Sequence, residues 1–181
     1  ILNIKSYWFK FIFIHLLLTM KNIRLTENKD HKNIERILDE SFGPGRYART
    51  AYRYREKNKI LLEYSYVYQA GKQLLASISY SEICLNNLFI GVLLGPLVVK
   101  TDHIGKGYGV ALVEKTINLI KQSKKYSFIV LVGDFDYYKR FNFEKISQPL
   151  ELIGPVNPDK VLILNLDDKV KLKKLKRIKL V

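Results

Sequence analysis

The 181-residue chain is 48% hydrophobic and 27% charged, which suits one globular domain and excludes a disordered segment. Its formal net charge of +14 admits a polyanionic partner such as nucleic acid, an anionic membrane or a phosphorylated ligand. A single cysteine, Cys84, excludes an intrachain disulfide, and histidines at 15, 31 and 103 give no zinc-ligand spacing, so the reading is a metal-free protein of the reducing cytoplasm.

In chain order, residues 1–19 hold an apolar run from Tyr7 to Leu18 broken by Lys10 and His15. This run is shorter than the ~20 apolar residues of a membrane span, and no small-residue cleavage site follows it. Residues 1–19 are therefore read as an extension upstream of a start at Met20. One domain is expected over 20–168, and a basic tail over 169–181. That tail carries seven of the positive charges and no acid, leaving +7 on the rest. The chain's excess of charge is read mainly as the Lys-, Ile- and Asn-rich bias of an AT-rich genome, with nucleic-acid binding less favoured, and the tail as a solvated, partly docked segment, with an amphipathic membrane or nucleic-acid surface as the alternative.

Within the domain, Asn22–Leu25 reads as a strand. Ile34, Ile37, Leu38 and Phe42 recur at helical spacing behind Asp30, a possible cap. Ser41–Arg46 is a loop by its Gly and Pro content, and Ala48–Lys57 is helical again. Three strand-like runs follow: Leu61–Tyr68, Gln73–Ile83 and Phe89–Lys100. Val110, Val113, Ile117 and Ile120 mark one face of a helix. Ser127–Val132 is a buried-strand run. A short helix from Asp134 to Arg140 and two strands, Phe143–Ile146 and Val161–Leu166, complete the order. The piece from Leu93 to Val132 reads as a right-handed parallel crossover. The fold class is mixed α/β (α+β), with a mixed sheet flanked by helices.

Ile104-Gly105-Lys106-Gly107-Tyr108-Gly109 lies between an apolar strand and an amphipathic helix. Glycines let the backbone turn tightly and approach a ligand. The first helical N–H groups lack internal partners and the dipole end is positive. Together these form an anion site that suits a pyrophosphate. The glycine spacing fits neither a Walker loop nor GxGxxG.

Leu94–Val99, the glycine loop and Ala111-Leu112 resemble the acetyl-CoA motif of the GNAT superfamily of N-acetyltransferases, whose pattern is Gln/Arg-x-x-Gly-x-Gly/Ala. Here it falls on Ile104, Gly107 and Gly109, with Ile in place of Gln or Arg. Val132-Gly133-Asp134-Phe135-Asp136-Tyr137-Tyr138-Lys139-Arg140-Phe141-Asn142-Phe143 resembles the corresponding stretch of bacterial YhbS-like predicted acetyltransferases, with Asn142 in place of a Gly. Ser41–Arg46 and Gly154–Pro158 are similar to that subgroup too.

The resemblance implies acetyl transfer from acetyl-CoA to an amine by direct attack on the thioester. It implies that two parallel strands splay apart and admit the pantetheine arm, with Pro96 placed at a bulge or unpaired edge. The implied cofactor contacts are Leu97, Val98 and Val99 on the strand, then Ile104, Gly105, Lys106, Gly107, Tyr108 and Gly109 on the loop. The leaving thiolate needs a proton, and Tyr138 matches the family's general acid, with Tyr137 packing inward. The amine must be neutral, yet at a pKa of about 10.4 only roughly one in two thousand is at pH 7. Glu82 is the first candidate base by strand position, before Glu40 and Glu63. Arg46 and Arg49, with Arg53, lie where the family covers its acceptor site. His103 is a candidate phosphate contact or a surface histidine. A monomer or homodimer is expected. The competing readings are a non-catalytic acyl-CoA-binding relative and a basic nucleic-acid- or ribosome-associated protein.

Overall fold

The computed structural model describes residues 22–48, 50–151, 156–167 and 178–179. The extension 1–19, most of the basic tail and Arg49 lie outside the described residues. The elements are β1 (Ile23–Leu25), α1 (His31–Phe42), α2 (Thr50–Lys57), β2 (Tyr66–Ala70), β3 (Gln73–Leu85), β4 (Phe89–Val99), α3 (Tyr108–Ser123), β5 (Phe128–Val132), α4 (Phe135–Tyr138), β6 (Glu144–Lys145), β7 (Leu150–Glu151), β8 (Val161–Asn165) and β9 (Ile178–Lys179). Seven strands form one mixed sheet in the order β1-β2-β3-β4-β5-β8-β6, while β7 and β9 pair separately and in parallel.

The expected elements are present with shifted edges: α1 runs on to Phe42, Pro44–Ala48 form a 3-10 turn where a loop is expected, α2 starts at Thr50, and the short β7–β9 pair is additional to the expected strands. The run beginning at Leu61 is not yet a strand. Leu62–Tyr64 form a 3-10 turn, and β2 starts at Tyr66. Leu61 and Tyr64 are buried while Leu62 and Glu63 are exposed. That three-residue spacing belongs to a 3-10 turn, in which side chains at i and i+3 eclipse. The Ser65 hydroxyl closes the turn onto the Leu61 carbonyl at 2.9 Å.

Helix α3 covers one face of the sheet. Leu112, Val113, Ile117 and Ile120 pack there against Ile78, Tyr80, Val92 and Leu94. Helix α1 covers the other face, with Ile34, Ile37 and Leu38 against Val67, Leu74 and Val98. A further cluster joins Tyr54 of α2 to Ile83, Leu85, Leu93, Phe128 and Val130.

The sheet opens at its middle. Strands β4 and β5 are parallel and pair only at Val92 with Ile129 and Leu93 with Val130. Close approach there depends on Gly91, where a Cβ would stand 2.4 Å from the Phe128 ring. Past Leu93 the ladder to β5 ends, while β4 keeps its pairing with β3 as far as Val99. On β3, Ile78 and Tyr80 face Leu97 and Leu94, so β4 holds one residue more than its partner between these pairs. That bulge contains Gly95 and Pro96, a position that tolerates a residue without N–H. The Ser79 hydroxyl donates to the Gly95 carbonyl across it at 3.2 Å.

Candidate active site

The divergence of β4 from β5 opens into a cleft of about 690 Å³. Leu97, Val98 and Val99 of β4 line one wall, Glu40, Ser41 and Phe42 of α1 another, and Tyr137 and Arg140 a third. Thr101, His103, Ile104, Gly105, Gly107, Tyr108, Gly109 and Val110 form its glycine-loop end. Leu97 and Val99 pack with the α3-side core and Val98 with the α1-side core, so the cleft borders both layers.

Glycine is required at two loop positions for different reasons. Gly107 is the N-cap of α3 at φ +84°, in the left-handed region that costs other residues ~1–2 kcal/mol. Gly109 lies in the first turn, where a Cβ would meet the Tyr137 hydroxyl at 2.9 Å and Val99 Cγ2 at 3.3 Å. The first bond of the helix runs from Ala111 N–H to the Gly107 carbonyl at 3.0 Å. The N–H groups of the preceding turn therefore have no intrahelical partner. An anionic group is the natural complement to them. Tyr108 anchors this helix start by stacking on Tyr68, with 4.2 Å between ring centroids.

The structure brings the expected loop and strand residues together, apart from Lys106, which is exposed and is not part of the cleft lining. Ile104 lines the cleft with its side chain 66% exposed. His103 lines it too, with Nδ1 2.7 Å from Asp102 Oδ1. Asp102 is held below the usual carboxylate range, chiefly by that hydrogen bond and then by the one from Lys100.

The two adjacent tyrosines take opposite surroundings from those expected. Tyr137, expected to pack inward, lines the cleft, with Arg140 stacked 5.1 Å over its ring. Tyr138 is 9% exposed and packs edge-on against Tyr137 and Phe143, beside Phe141. Asp134 caps α4 by accepting from the N–H groups of Asp136 and Tyr137, which fixes both rings. Asn142 takes the left-handed turn at φ 65°. Burial pushes both phenols above the ordinary tyrosine value; Tyr137 in turn raises Tyr138, while Arg140 offsets part of the rise at Tyr137.

Two candidates fall elsewhere. Glu82 pairs in register with Val92, and its carboxylate accepts from the Tyr126 hydroxyl at 3.3 Å and faces Lys125 at 3.8 Å. Those partners follow the C-terminus of α3, and a 16-residue helix spans ~24 Å. Glu82 thus lies far from the glycine loop, beside the point where β4 and β5 are still paired, and is not among the cleft's lining residues. Among the residues lining the cleft, the carboxylate is Glu40 of α1.

Arg46, expected to meet the acceptor, is 1% exposed. Its guanidinium donates to Asp39 at 2.8 Å, Glu35 at 2.6 Å, the Tyr52 hydroxyl at 2.6 Å and the Tyr47 hydroxyl at 2.7 Å. It is a structural knot between α1 and the start of α2, with four of its five N–H donors engaged by these partners. Chain position could not reveal this, because the carboxylates lie seven and eleven residues away on α1.

Among the described residues, no group of three or more His, Cys, Asp or Glu is placed to hold a metal ion. No helix there is long and apolar enough to cross a membrane.

A sheet split at one parallel pair, with a glycine-rich turn feeding the helix that crosses between those strands, is the fold of the GNAT N-acetyltransferases. A GNAT family N-acetyltransferase from Escherichia coli, YhbS, solved with CoA, superposes with a TM-score of 0.70 at 23% identity, covering 87% of each chain. A GNAT family acetyltransferase from Brucella melitensis, solved with acetyl-CoA, gives 0.55 at 23% identity over 77% of this chain and 93% of its own. An aminoglycoside 6'-N-acetyltransferase complexed with coenzyme A gives 0.58 at 13% identity over 80% and 96%. No protein-family model matches the chain, and no curated protein matches it by sequence.

Proposed function

We propose that the protein is an acyl-CoA-dependent N-acetyltransferase of the cytoplasm, in which acetyl-CoA occupies the cleft and a primary amine attacks its thioester. The observation that carries this reading is the coincidence, in one cleft, of an unpaired stretch of β4 and an unpartnered helix N-terminus. The first suits the amides of a pantetheine arm and the second suits a diphosphate. CoA or acetyl-CoA in three neighbours of the same fold supports it.

In this reading the backbone of Leu97, Val98 and Val99 binds the pantetheine, and the loop from Ile104 to Gly109 takes the diphosphate. Holding both substrates in one cleft makes an encounter of two molecules effectively intramolecular. The amine nitrogen forms a bond to the acetyl carbon as the carbon–sulfur bond breaks. The amine proton leaves to Glu40, directly or through water, and the thiolate takes a proton from the tyrosine pair, in which Tyr138 is the residue the resemblance points to and Tyr137 the one that lines the cleft. A raised phenol pKa keeps that proton in place at neutral pH.

The experiment is calorimetric titration with acetyl-CoA of the wild type and of Gly107→Val and Gly109→Leu. Binding by the wild type and its loss in both folded variants is expected. A folded wild type that ignores acetyl-CoA overturns the reading. The basic surface would then be tested as a nucleic-acid site through the salt dependence of its binding.

A further inference from the structure

The resembling motif has Gln or Arg where this chain has Ile104, so the loop lacks the side-chain donor expected there. One residue earlier, His103 lines the cleft with its side chain only 19% exposed. Its ring lies 6.1 Å from that of Tyr108, the first residue of α3. The Nδ1 contact to Asp102 at 2.7 Å settles the tautomer, because an ionised carboxylate can only accept. Nδ1 carries the hydrogen, and Nε2 is the atom that changes. It is a lone pair in the neutral ring and a donor in the imidazolium.

The charged and titratable groups around the ring come from every side. Asp102 and Lys100, 3.2 Å apart, precede it. Lys106 follows in the loop, and Tyr108 lies on α3. Glu40 and Arg140 belong to the other walls of the cleft.

We infer that His103, oriented by Asp102, is a pH-dependent contact for the diphosphate of acyl-CoA. The imidazolium Nε2–H donates to a phosphate oxygen and so replaces the side-chain donor absent at Ile104. This rests on the acyl-CoA reading above. Binding of the anion takes up a proton on His103, so affinity rises as pH falls through the imidazole range and falls as pH rises. Asp102 is a positioning residue that fixes the ring through Nδ1.

Dephospho-CoA is the probe that isolates this contact. It lacks the terminal phosphate, whose second proton, with a pKa of about 6, would titrate in the same range. The full chain is titrated calorimetrically between about pH 5.5 and pH 8, where imidazole changes charge. The wild-type Kd is expected to rise about tenfold across that range, the ratio one charge-assisted hydrogen bond supplies. In His103→Gln, whose amide does not titrate, the Kd should be independent of pH across that range. In parallel, the wild-type imidazole signal that is missing from His103→Gln is followed by NMR, and its titration midpoint should move up when dephospho-CoA is added. A variant with the same pH dependence as the wild type, or a midpoint that stays put, overturns the inference while leaving acyl-CoA binding intact. A folded wild type that binds neither dephospho-CoA nor acetyl-CoA at any pH fails the acyl-CoA reading itself. If His103→Gln does not fold, the three histidine signals are assigned through His15→Gln and His31→Gln, and the midpoint decides alone.

Discussion

Tyr137 and Tyr138 are neighbours in the chain, yet one lines the cleft and the other is core. A helical step of about 100° per residue accounts for it. Tyr138 shares its side of the turn with Phe141, three residues on, and both join the α3-side core. Phe141 stands close to both rings, 5.9 Å from Tyr137 and 6.2 Å from Tyr138 between centroids, so sequence spacing alone does not separate them. Tyr138→Phe is expected to lower kcat about 100-fold, within the usual range for a general acid, with acetyl-CoA affinity kept. Tyr137→Phe should keep kcat. Steady-state kinetics beside calorimetry would check this, and the reverse pattern would assign the proton donor to Tyr137. Glu40→Gln should lower turnover at neutral pH, whereas Glu82→Gln should leave it unchanged.

At the scale of elements, two ion-pair clusters hold helix α1, and each makes a prediction. Arg46 ties the C-terminal half of α1 to Tyr52 on α2, with its guanidinium also 4.3 Å over the Tyr47 ring. Both carboxylate partners are partly exposed, so water can take over part of their loss. Arg46→Leu is therefore expected to cost about 2–3 kcal/mol in urea unfolding, below the upper range for breaking a buried pair. Arg46→Lys should recover little, because an ammonium cannot reproduce the planar fork.

At the other end of α1, Asp30 is buried. It accepts from Arg24 of β1 at 2.6 and 2.8 Å and from the Glu27 N–H at 2.8 Å. The hydrogen bond from Arg24 is the main reason its carboxyl lies below the usual value. A depressed folded pKa means that its stabilisation is complete above the unfolded carboxylate value of about 3.9. It is lost as pH falls through the lower folded value. Asp30→Asn should thus be less stable than the wild type at pH 7 by about 1–2 kcal/mol. The difference should close on acidification below about pH 4, as followed by thermal unfolding at a series of pH values.

Across the whole molecule, charge and site are separate matters. Seven of the positive charges lie in residues 169–181, whereas the cleft is lined by residues between Glu40 and Arg140. Removal of 169–181 should leave acetyl-CoA affinity within about twofold, since the cleft's lining residues lie between Glu40 and Arg140. Any binding to RNA that the tail supports should fall steeply with added salt. Calorimetry and a filter-binding series on the truncated chain would check both.

The sequence by itself determined the order of elements, because apolar periods of two and of three to four residues survive without tertiary context. It also marked the loop, since Gly105, Gly107 and Gly109 before an amphipathic helix suit either a tight turn or an anion site. It marked Pro96 as a bulge or unpaired edge, and Asp134 as the α4 cap. What it could not determine were the partners of long side chains. Arg46 reads as a surface cation until α1 brings Glu35 and Asp39 onto it. The Tyr126 and Lys125 partners of Glu82 likewise appear only when β3 meets the end of α3. Local pattern is set by backbone geometry a few residues at a time. The pairing of a buried charge depends on which distant elements pack together, and only the tertiary structure decides that.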